Sequence, residues 1–536
     1  MKEIRFKSTV FLIMASVLLS RIMGFVRTAL IPVKMGGLSR VTDAYNAAFQ
    51  VPDLMYSMLI GGAIASSLIP VLAGYVAKGE EKKGWRSVSS FMNLVSVIMF
   101  VVVILSVIFA KPLVNMLVPG YDAETLELTV QLTKILMPIA FFMMLAGLCN
   151  GIMNSYNEFI IPAFGPCLYN LACIISIVLF SNDNPADNYG VKKVVLGIVI
   201  CAGLYFLFQF AFTFKHFKNN YRTVIAYKEP DFKLLIMLAV PSLLTSMLGQ
   251  ISLIISRYFT AFFDVGSVTA LELVNKTWQM PLGIIAQAIG IAMLPSLAAV
   301  YDADKKSEVV YKINTSLRLV IFLAIPSAVG LSVLSKPLIQ VLFNFGTIEQ
   351  EGITLAANLL IGYSLALVMQ CIITIVNRVY FSTKNSIIPF WGSLISVVFN
   401  YLIAYLLLKL TDAGIFSVPV AYSLSSVLNL LYLGLLFRTR ISGYSFRGNM
   451  PTILKSLLSA AVMGVVIYLA DKFAMPAIFG TVIIELGKVK QFLWILMEFA
   501  VGAGLYMLLA YLMKTDQARE LIDMVKVKFK SITGNN

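Results

Sequence analysis

The segment Ser8–Val33, STVFLIMASVLLSRIMGFVRTALIPV, decides how this chain is read. It is apolar and long enough to cross a bilayer, whose hydrocarbon takes about 20 helical residues. Yet it carries Arg21 and Arg27 near its middle. Each charge held at mid-membrane costs about 2.5–3.5 kcal/mol on insertion scales. Two such residues mark a water-filled cavity or an anion site, unless both snorkel to an interface or pair with a buried carboxylate. Both lie too far from the segment ends to snorkel fully, which favours the cavity.

The rest of the chain fits a membrane-spanning reading. Of its 536 residues 59% are hydrophobic and only 13% charged, the balance of an all-α polytopic membrane protein. Apolar runs of spanning length fall at about 8–33, 46–77, 88–110, 128–153, 160–181 and 192–214. A second set falls at about 232–258, 268–300, 312–335, 352–380, 386–409 and 414–437, followed by two more at 451–473 and 491–513. This predicts about fourteen transmembrane helices. The cationic N-terminus precedes an apolar stretch too long for a signal peptide, with no small-residue cleavage site after it, so the first helix is expected to be retained.

The net charge of +15 does not point to nucleic acid, because the positive residues cluster in alternate loops. They include Lys78, Lys82, Lys83 and Arg86, then Lys215, Lys218 and Arg222, then Lys305, Lys306 and Lys312. Arg438, Arg440 and Arg447 follow, with Lys526, Lys528 and Lys530 in the tail. The intervening loops are acidic or near neutral, as at Asp122, Glu124 and Glu127 or at Asp183 and Asp187. The positive-inside rule then puts both termini in the cytoplasm.

No chemistry of an enzyme is visible. There is no P-loop, GxGxxG pattern or nucleophile motif, and so no catalytic residue, cofactor or metal site is expected. The five cysteines lie in or beside apolar segments without CxxC spacing and read as packing residues. The single histidine, His216, reads as a surface residue of a basic loop.

The two halves repeat each other at an offset of about 225 residues. Leu68-Ile69-Pro70 followed by Lys111-Pro112-Leu113 matches Met293-Leu294-Pro295 followed by Lys336-Pro337-Leu338. Gln50-Val51-Pro52 mirrors Gln279-Met280-Pro281, and Ile160-Ile161-Pro162 mirrors Ile387-Ile388-Pro389. A unit of six helices returns the chain to the same side, so the repeats must be parallel, about an axis along the membrane normal. The expected layout is a six-helix lobe over 1–220, a second over 221–445, and two further helices with a basic tail over 446–536. The prolines of the second helix in each half read either as ordinary kinks or as breaks lining a cavity.

Few other charges lie inside the spans. On the first helix Ser16, Ser20 and Arg27, Arg21 with Thr28, and Gly24 between them are expected to form one polar face. Gly24 leaves room for close approach. Glu272, Asn275, Lys276 and Gln279 recur at i, i+3, i+4 and i+7, a polar stripe entering the eighth helix. Asp43 occupies the mirror position of Glu272, and both acids read equally as caps at helix starts or as partners of cavity cations. Lys276 reads as cavity-facing, because a lipid-facing ammonium is costly. Arg257 reads as cavity-facing or interfacial. A cavity holding Arg21, Arg27 and Lys276, with or without Arg257, calls for an anion such as a pyrophosphate, which the planar arginine fork suits.

On these residues the sequence resembles the MurJ (MviN) family of lipid II flippases, in the multidrug/oligosaccharidyl-lipid/polysaccharide exporter superfamily. The resemblance rests on Ser20-Arg21-Ile22-Met23-Gly24-Phe25-Val26-Arg27, on Thr42-Asp43-Ala44, on Val51-Pro52-Asp53-Leu54, and on Ser67 to Tyr75. It implies a flippase of the bacterial cytoplasmic membrane that moves an undecaprenyl-pyrophosphate-linked peptidoglycan precursor outward by alternating access. Two lobes would surround a cationic cavity, and the last two helices would help to form a groove for the lipid tail. Membrane lipids and cell-wall synthesis proteins would be its surroundings and partners. The family arginines of the first helix fall on Arg21 and Arg27, its aspartate on Asp43, and its eighth-helix arginine on Lys276. The chain departs from the pattern at Tyr56 and Ser57, where a second-helix arginine pair is typical, and at Thr28, where an acid often stands. The seventh and eleventh spans lack the acids of a sodium site, the eleventh offering only Asn400. Flippases of other lipid-linked oligosaccharides and small-molecule antiporters of the superfamily are the alternatives, with a non-transporting scaffold as a third.

Overall fold

A computed structural model describes residues 2–58, 64, 67–181, 188–223, 230–287, 289–290, 293, 306–343, 348–382, 385, 387–440, 446–479 and 487–523. Asp183, Asp187, Leu294, Pro295, Lys305, Lys526, Lys528 and Lys530 lie outside the described residues. Among the described residues there are helices and no strands. Ten of these helices are long and apolar enough to cross a membrane. The described residues of the fourteen apolar runs read from the sequence fall on helices, single or broken.

The chain divides into two compact units, Met1–Glu272 with Gly346–Glu349, and Leu273–Phe345 with Gln350–Asn536. The first contains α1 (Lys2–Lys34), α2 (Arg40–Ala48), α3 (Gln50–Met58), α4 (Ile69–Lys78), α5 (Glu81–Ile108), α6 (Ala110–Leu117) and α7 (Ala123–Ser155). It continues with α8 (Ile160–Phe180), α9 (Asn188–Phe217), α10 (Pro230–Thr260) and the first turns of α11 (Ser267–Leu282). The 33-residue α7 is the hub: α2, α3, α4, α5, α6 and α9 all pack on it, while α1 lies along α8. Its start is fixed by Asp122, whose Oδ2 accepts from the Glu124 and Thr125 amides at 3.1 and 3.0 Å. That satisfies donors a helix start otherwise leaves open. Arg40, at the head of α2, pairs with Glu124 and donates to Asn188 Oδ1 at 3.3 Å, so the starts of α2, α7 and α9 are tied at one end.

The second unit repeats this plan. It contains α12 (Lys306–Val333), α13 (Ser335–Phe343), α14 (Gln350–Ser382), α15 (Ile387–Leu410) and α16 (Ser417–Arg440), then α17 (Met450–Leu469), α18 (Met475–Phe479) and α19 (Lys488–Leu512). The matched motifs occupy matched places. Lys111-Pro112 and Lys336-Pro337 each open a short helix just past a break, and Ile160 and Ile387 each begin a helix two residues before proline. The hub helix has 33 residues in both units, and α14 is packed by α12, α13 and α16 as α7 is by its neighbours.

The second-helix prolines coincide with interruptions. Pro52 stands in the first turn of α3, after a break at Phe49, and Pro70 sits in the first turn of α4. Pro281 is followed by a π-turn at Gly283–Gln287. A proline lacks the N–H that would bond the carbonyl one turn back, so the ladder opens there.

His216 departs from the surface position expected of it. It lies in the last turn of α9, half-buried, stacked on Tyr156 with ring centroids 3.9 Å apart and with Nε2 3.3 Å from Glu158 Oε1.

Candidate functional site

α1 carries the two arginines in different settings. Ser16 is buried, and its carbonyl accepts from Cys167 Sγ at 3.1 Å. One turn on, the carbonyl of Ser20 accepts from Asn170 Nδ2 at 3.3 Å, and a Cβ on Gly24 would lie 3.6 Å from the same amide. One further turn brings Arg27 over the Tyr169 ring, 5.9 Å from its centroid. Ser16, Ser20, Gly24 and Arg27 thus form a ridge of three- and four-residue steps laid against α8. Arg27 is half-buried, among Tyr45 of α2 and Tyr169 and Cys173 of α8, with Asp53 in electrostatic reach. Its Nε is buried with no hydrogen-bond partner. Arg21 lies off this ridge and is exposed. The polar residues of α1 therefore occupy a packed ridge and an open side, rather than one continuous face.

Asp43 is a cap, but of a helix far away in sequence. It is buried in α2, and its Oδ2 accepts from the Gly266 amide at 2.7 Å. Its Oδ1 accepts from the Thr269 amide at 2.8 Å and the Thr269 hydroxyl at 2.6 Å. Gly266 has φ +93°, a conformation that side chains beyond glycine rarely adopt, and this turns its N–H toward Asp43. Asn46, one turn on, donates to Thr269 Oγ1 at 3.1 Å. The carboxylate completes the open amides at the start of α11, where negative charge is favourable.

Arg257 and Glu272 are brought together. Arg257 Nη2 donates to Glu272 Oε2 at 2.5 Å, with side-chain exposures of 13% and 12%. At this burial the pairing neutralises a cation that the sequence leaves open for an anionic ligand. The remaining stripe residues on α11 part company. Asn275 faces the core of the second unit, where its Oδ1 accepts from Trp278 Nε1 at 3.0 Å. That indole stacks on Tyr363, centroids 5.5 Å apart and rings 5° from parallel. Lys276 is exposed and Gln279 half-buried.

Where an arginine pair is typical of the resembled family, Tyr56 packs against the buried core of α2, α7 and α9, and the side chain of Ser57 lies outside the described residues. Asn400 is buried in α15. Sequence reasoning does not single out Tyr45, Tyr169, Asn170 or Thr269, although a Tyr-Asn pair inside the apolar α8 is itself a visible signal. Among the described residues no group of three or more His, Cys, Asp or Glu side chains is arranged to hold a metal.

The sequence profile of the lipid II flippase MurJ family matches residues 34–486. The chain belongs to the lipid II flippase MurJ family. A probable lipid II flippase MurJ of Buchnera aphidicola subsp. Acyrthosiphon pisum is 29% identical over 459 residues, covering 84% of this chain and 87% of its own length. That of Bdellovibrio bacteriovorus is 26% identical over 531 residues, covering 96% and 97%. A solved structure of lipid II flippase MurJ in an inward closed conformation superposes with a TM-score of 0.77 at 26% identity, covering 96% of this chain and all of that one. An inward-facing multidrug resistance MATE transporter shares the fold at a TM-score of 0.64 and 14% identity, covering 80% of this chain and 98% of that one. The family profile runs from the end of α1 to just before α19, and the two relatives and the MurJ structure named here are matched over 87%, 97% and all of their own lengths.

Proposed function

We propose that this protein carries lipid II from the inner to the outer leaflet of the bacterial cytoplasmic membrane, with Arg21, Arg27 and Lys276 binding the pyrophosphate. The observation that carries the reading is Arg27, a guanidinium inside a membrane helix with an unpartnered Nε and an aromatic shell. An anionic oxygen gives such a group the acceptor it lacks, and the low dielectric strengthens the bond. Arg21, exposed on the same helix, and Lys276, exposed on α11, add positive charge. Lysine at 276 keeps the charge and loses the bidentate fork. Arg257, held by Glu272, acts as a positioning residue for α11 rather than as a ligand of the substrate.

With both termini in the cytoplasm, the Asp43 contact lies at the extracytoplasmic end of α2. Alternating access then requires α11 to leave that cap, or α2 to travel with it, when the headgroup exits, while the prenyl tail stays in lipid. A potential negative inside favours outward movement of an anion by about 2.3 kcal/mol per charge per 100 mV.

Native mass spectrometry of the purified protein with lipid II tests the site. Wild type is compared with Arg21→Ala, Arg27→Ala and Lys276→Ala, with undecaprenyl phosphate, another lipid-linked oligosaccharide and an unrelated anionic lipid as competitors. Selective lipid II binding that falls at least tenfold in the variants, a loss of about 1.4 kcal/mol, supports the reading. Binding that is absent, or unchanged in all three variants, overturns it.

A further inference from the structure

Among the described residues two acids lie in the C-terminal helix pair, and the pyrophosphate site proposed above uses neither. Glu498 stands ten residues into α19, about 15 Å from its start at 1.5 Å per residue. It belongs to the buried stripe Trp494, Ile495, Glu498, Gly502 and Tyr506, the face on which the helix packs. It is 2% exposed, and its carboxylate oxygens make no well-formed hydrogen bond, the nearest donor being the indole of Trp494 one turn back.

The packing register identifies what faces it. A Cβ on Gly502 would meet Ile467 at 2.7 Å, and Ser459 Oγ donates to Met513 Sδ at 3.5 Å. α17 and α19 therefore run antiparallel. One turn from the Gly502–Ile467 contact on each helix sets Asp471 opposite Glu498, within electrostatic reach of it. Asp471 lies in the π-turn Ala470–Ala474 that prolongs α17, half-buried, and its Oδ1 is buried without a partner.

The neighbouring charges are engaged elsewhere. Lys472 lies over the Tyr468 and Phe473 rings, 5.8 and 5.6 Å from their centroids. Lys488 Nζ donates to the Gln340 carbonyl of α13 at 2.8 Å, and the Tyr506 hydroxyl donates to the Phe322 carbonyl of α12 at 2.7 Å. Lys336 of α13 is exposed. On α12, Glu308, Tyr311, Lys312 and Arg318 all precede Phe322 and lie beyond Tyr506 from Glu498. On α17, Lys455 donates to the Lys514 carbonyl at 3.2 Å, far along the helix from Asp471.

We propose that Asp471 and Glu498 form a proton-binding site in which the two carboxyls share one dissociable proton. Two facing carboxylates in low dielectric cannot both stay ionised, and a buried charge without a partner is costly. A proton from water adds to a carboxylate oxygen and cancels one charge, after which the acid can donate to its neighbour. The pair titrates as a unit. Asp471, the more exposed member and the nearer to the loop, is the route by which the proton reaches water. The site does not depend on which lipid the protein carries.

Infrared difference spectroscopy on the full-length protein in nanodiscs tests this without any substrate. Spectra are taken across pH, in water and D2O, for wild type, Glu498→Gln and Asp471→Asn. Wild type is expected to show a protonated carboxyl band at neutral pH that shifts in D2O. Glu498→Gln loses that band, and Asp471→Asn moves its midpoint to lower pH because the repelling charge is gone. A wild type with no such band, or a band that survives in Glu498→Gln, overturns the proposal. So does a midpoint untouched in Asp471→Asn. A band abolished by sodium at constant pH overturns it in favour of a metal cation. Should Glu498→Gln not fold, the wild-type titration and the Asp471→Asn midpoint decide alone.

Discussion

Replacing Asp43 by alanine removes three acceptor contacts at once. The amides of Gly266 and Thr269 and the Thr269 hydroxyl all lose the carboxylate, and all lie in buried surroundings. A buried donor left unsatisfied costs about 1–3 kcal/mol. Water reaching one of the three lowers the total, so the expected loss at the start of α11 is about 3 kcal/mol. At about 1.4 kcal/mol per decade, local opening becomes roughly a hundred times more frequent. Hydrogen exchange of the purified protein, read by mass spectrometry on peptides covering 264–272, measures this directly. Thr269→Val is the graded control, since it leaves both amides capped and removes only the two bonds of the hydroxyl, to Asp43 and from Asn46, a loss of about 2 kcal/mol. Exchange in Asp43→Ala within about threefold of wild type, well under one decade, would refute the view that this carboxylate holds the helix start.

Three further outcomes follow from the same geometry. Arg257→Ala takes the paired cation from Glu272 at low exposure and should destabilise the protein by about 3 kcal/mol, with partial recovery in Arg257→Ala/Glu272→Ala, as read by thermal unfolding. If Arg257 instead binds the substrate, the single variant melts like wild type and loses lipid II. Lys276→Arg should retain lipid II binding and Lys276→Glu should lose at least tenfold, about 1.4 kcal/mol, both melting like wild type because the side chain is exposed; equal binding by the two removes Lys276 from the site. Asp122→Ala should cost about 1 kcal/mol through the lost cap of α7. The hydrogen bond from the Thr125 hydroxyl holds the Asp122 carboxyl below the ordinary aspartate range, so its contribution is full above about pH 4 and fades as pH falls through the lower folded value. The gap in melting temperature between wild type and Asp122→Ala should therefore close in acid, and a gap independent of pH contradicts this.

What the sequence shows and hides follows from the range of each interaction. Helix breaks at Pro52, Pro70 and Pro281 are legible because proline acts on its own backbone. The repeat is legible because matched motifs open matched helices. Asp43 is only half legible: an acid near a helix start suggests a cap, but the amides it serves are more than two hundred residues away. The stripe on α11 shows the limit of periodicity. Asn275 and Lys276 are adjacent, and one step of about 100° takes the first into the Trp278–Tyr363 stack and the second out of it. Spacing alone groups them, and tertiary packing separates them. Glu498 is visible as a lone acid in an apolar run, whereas its facing partner Asp471 emerges only from the register of α17 on α19.

The start of α11 is held at two points by charge. Asp43 of α2 takes the amides of Gly266 and Thr269, and Arg257 of α10 takes the carboxylate of Glu272, one turn further along. The two contacts use opposite signs, so α11 presents donors to an anion and then an acid to a cation. Asp43 cannot give way to an apolar side chain without leaving buried amides unmatched, and neither member of the Arg257–Glu272 pair can be replaced alone without leaving a buried charge short of its partner. Both must break, or α2 and α10 must travel with α11, before the helix can shift. Lys276 lies one turn beyond Glu272 on the same helix. Any movement that releases the two clasps therefore displaces this cation as well, which couples the position of the charge proposed to bind the pyrophosphate to the state of the helix start.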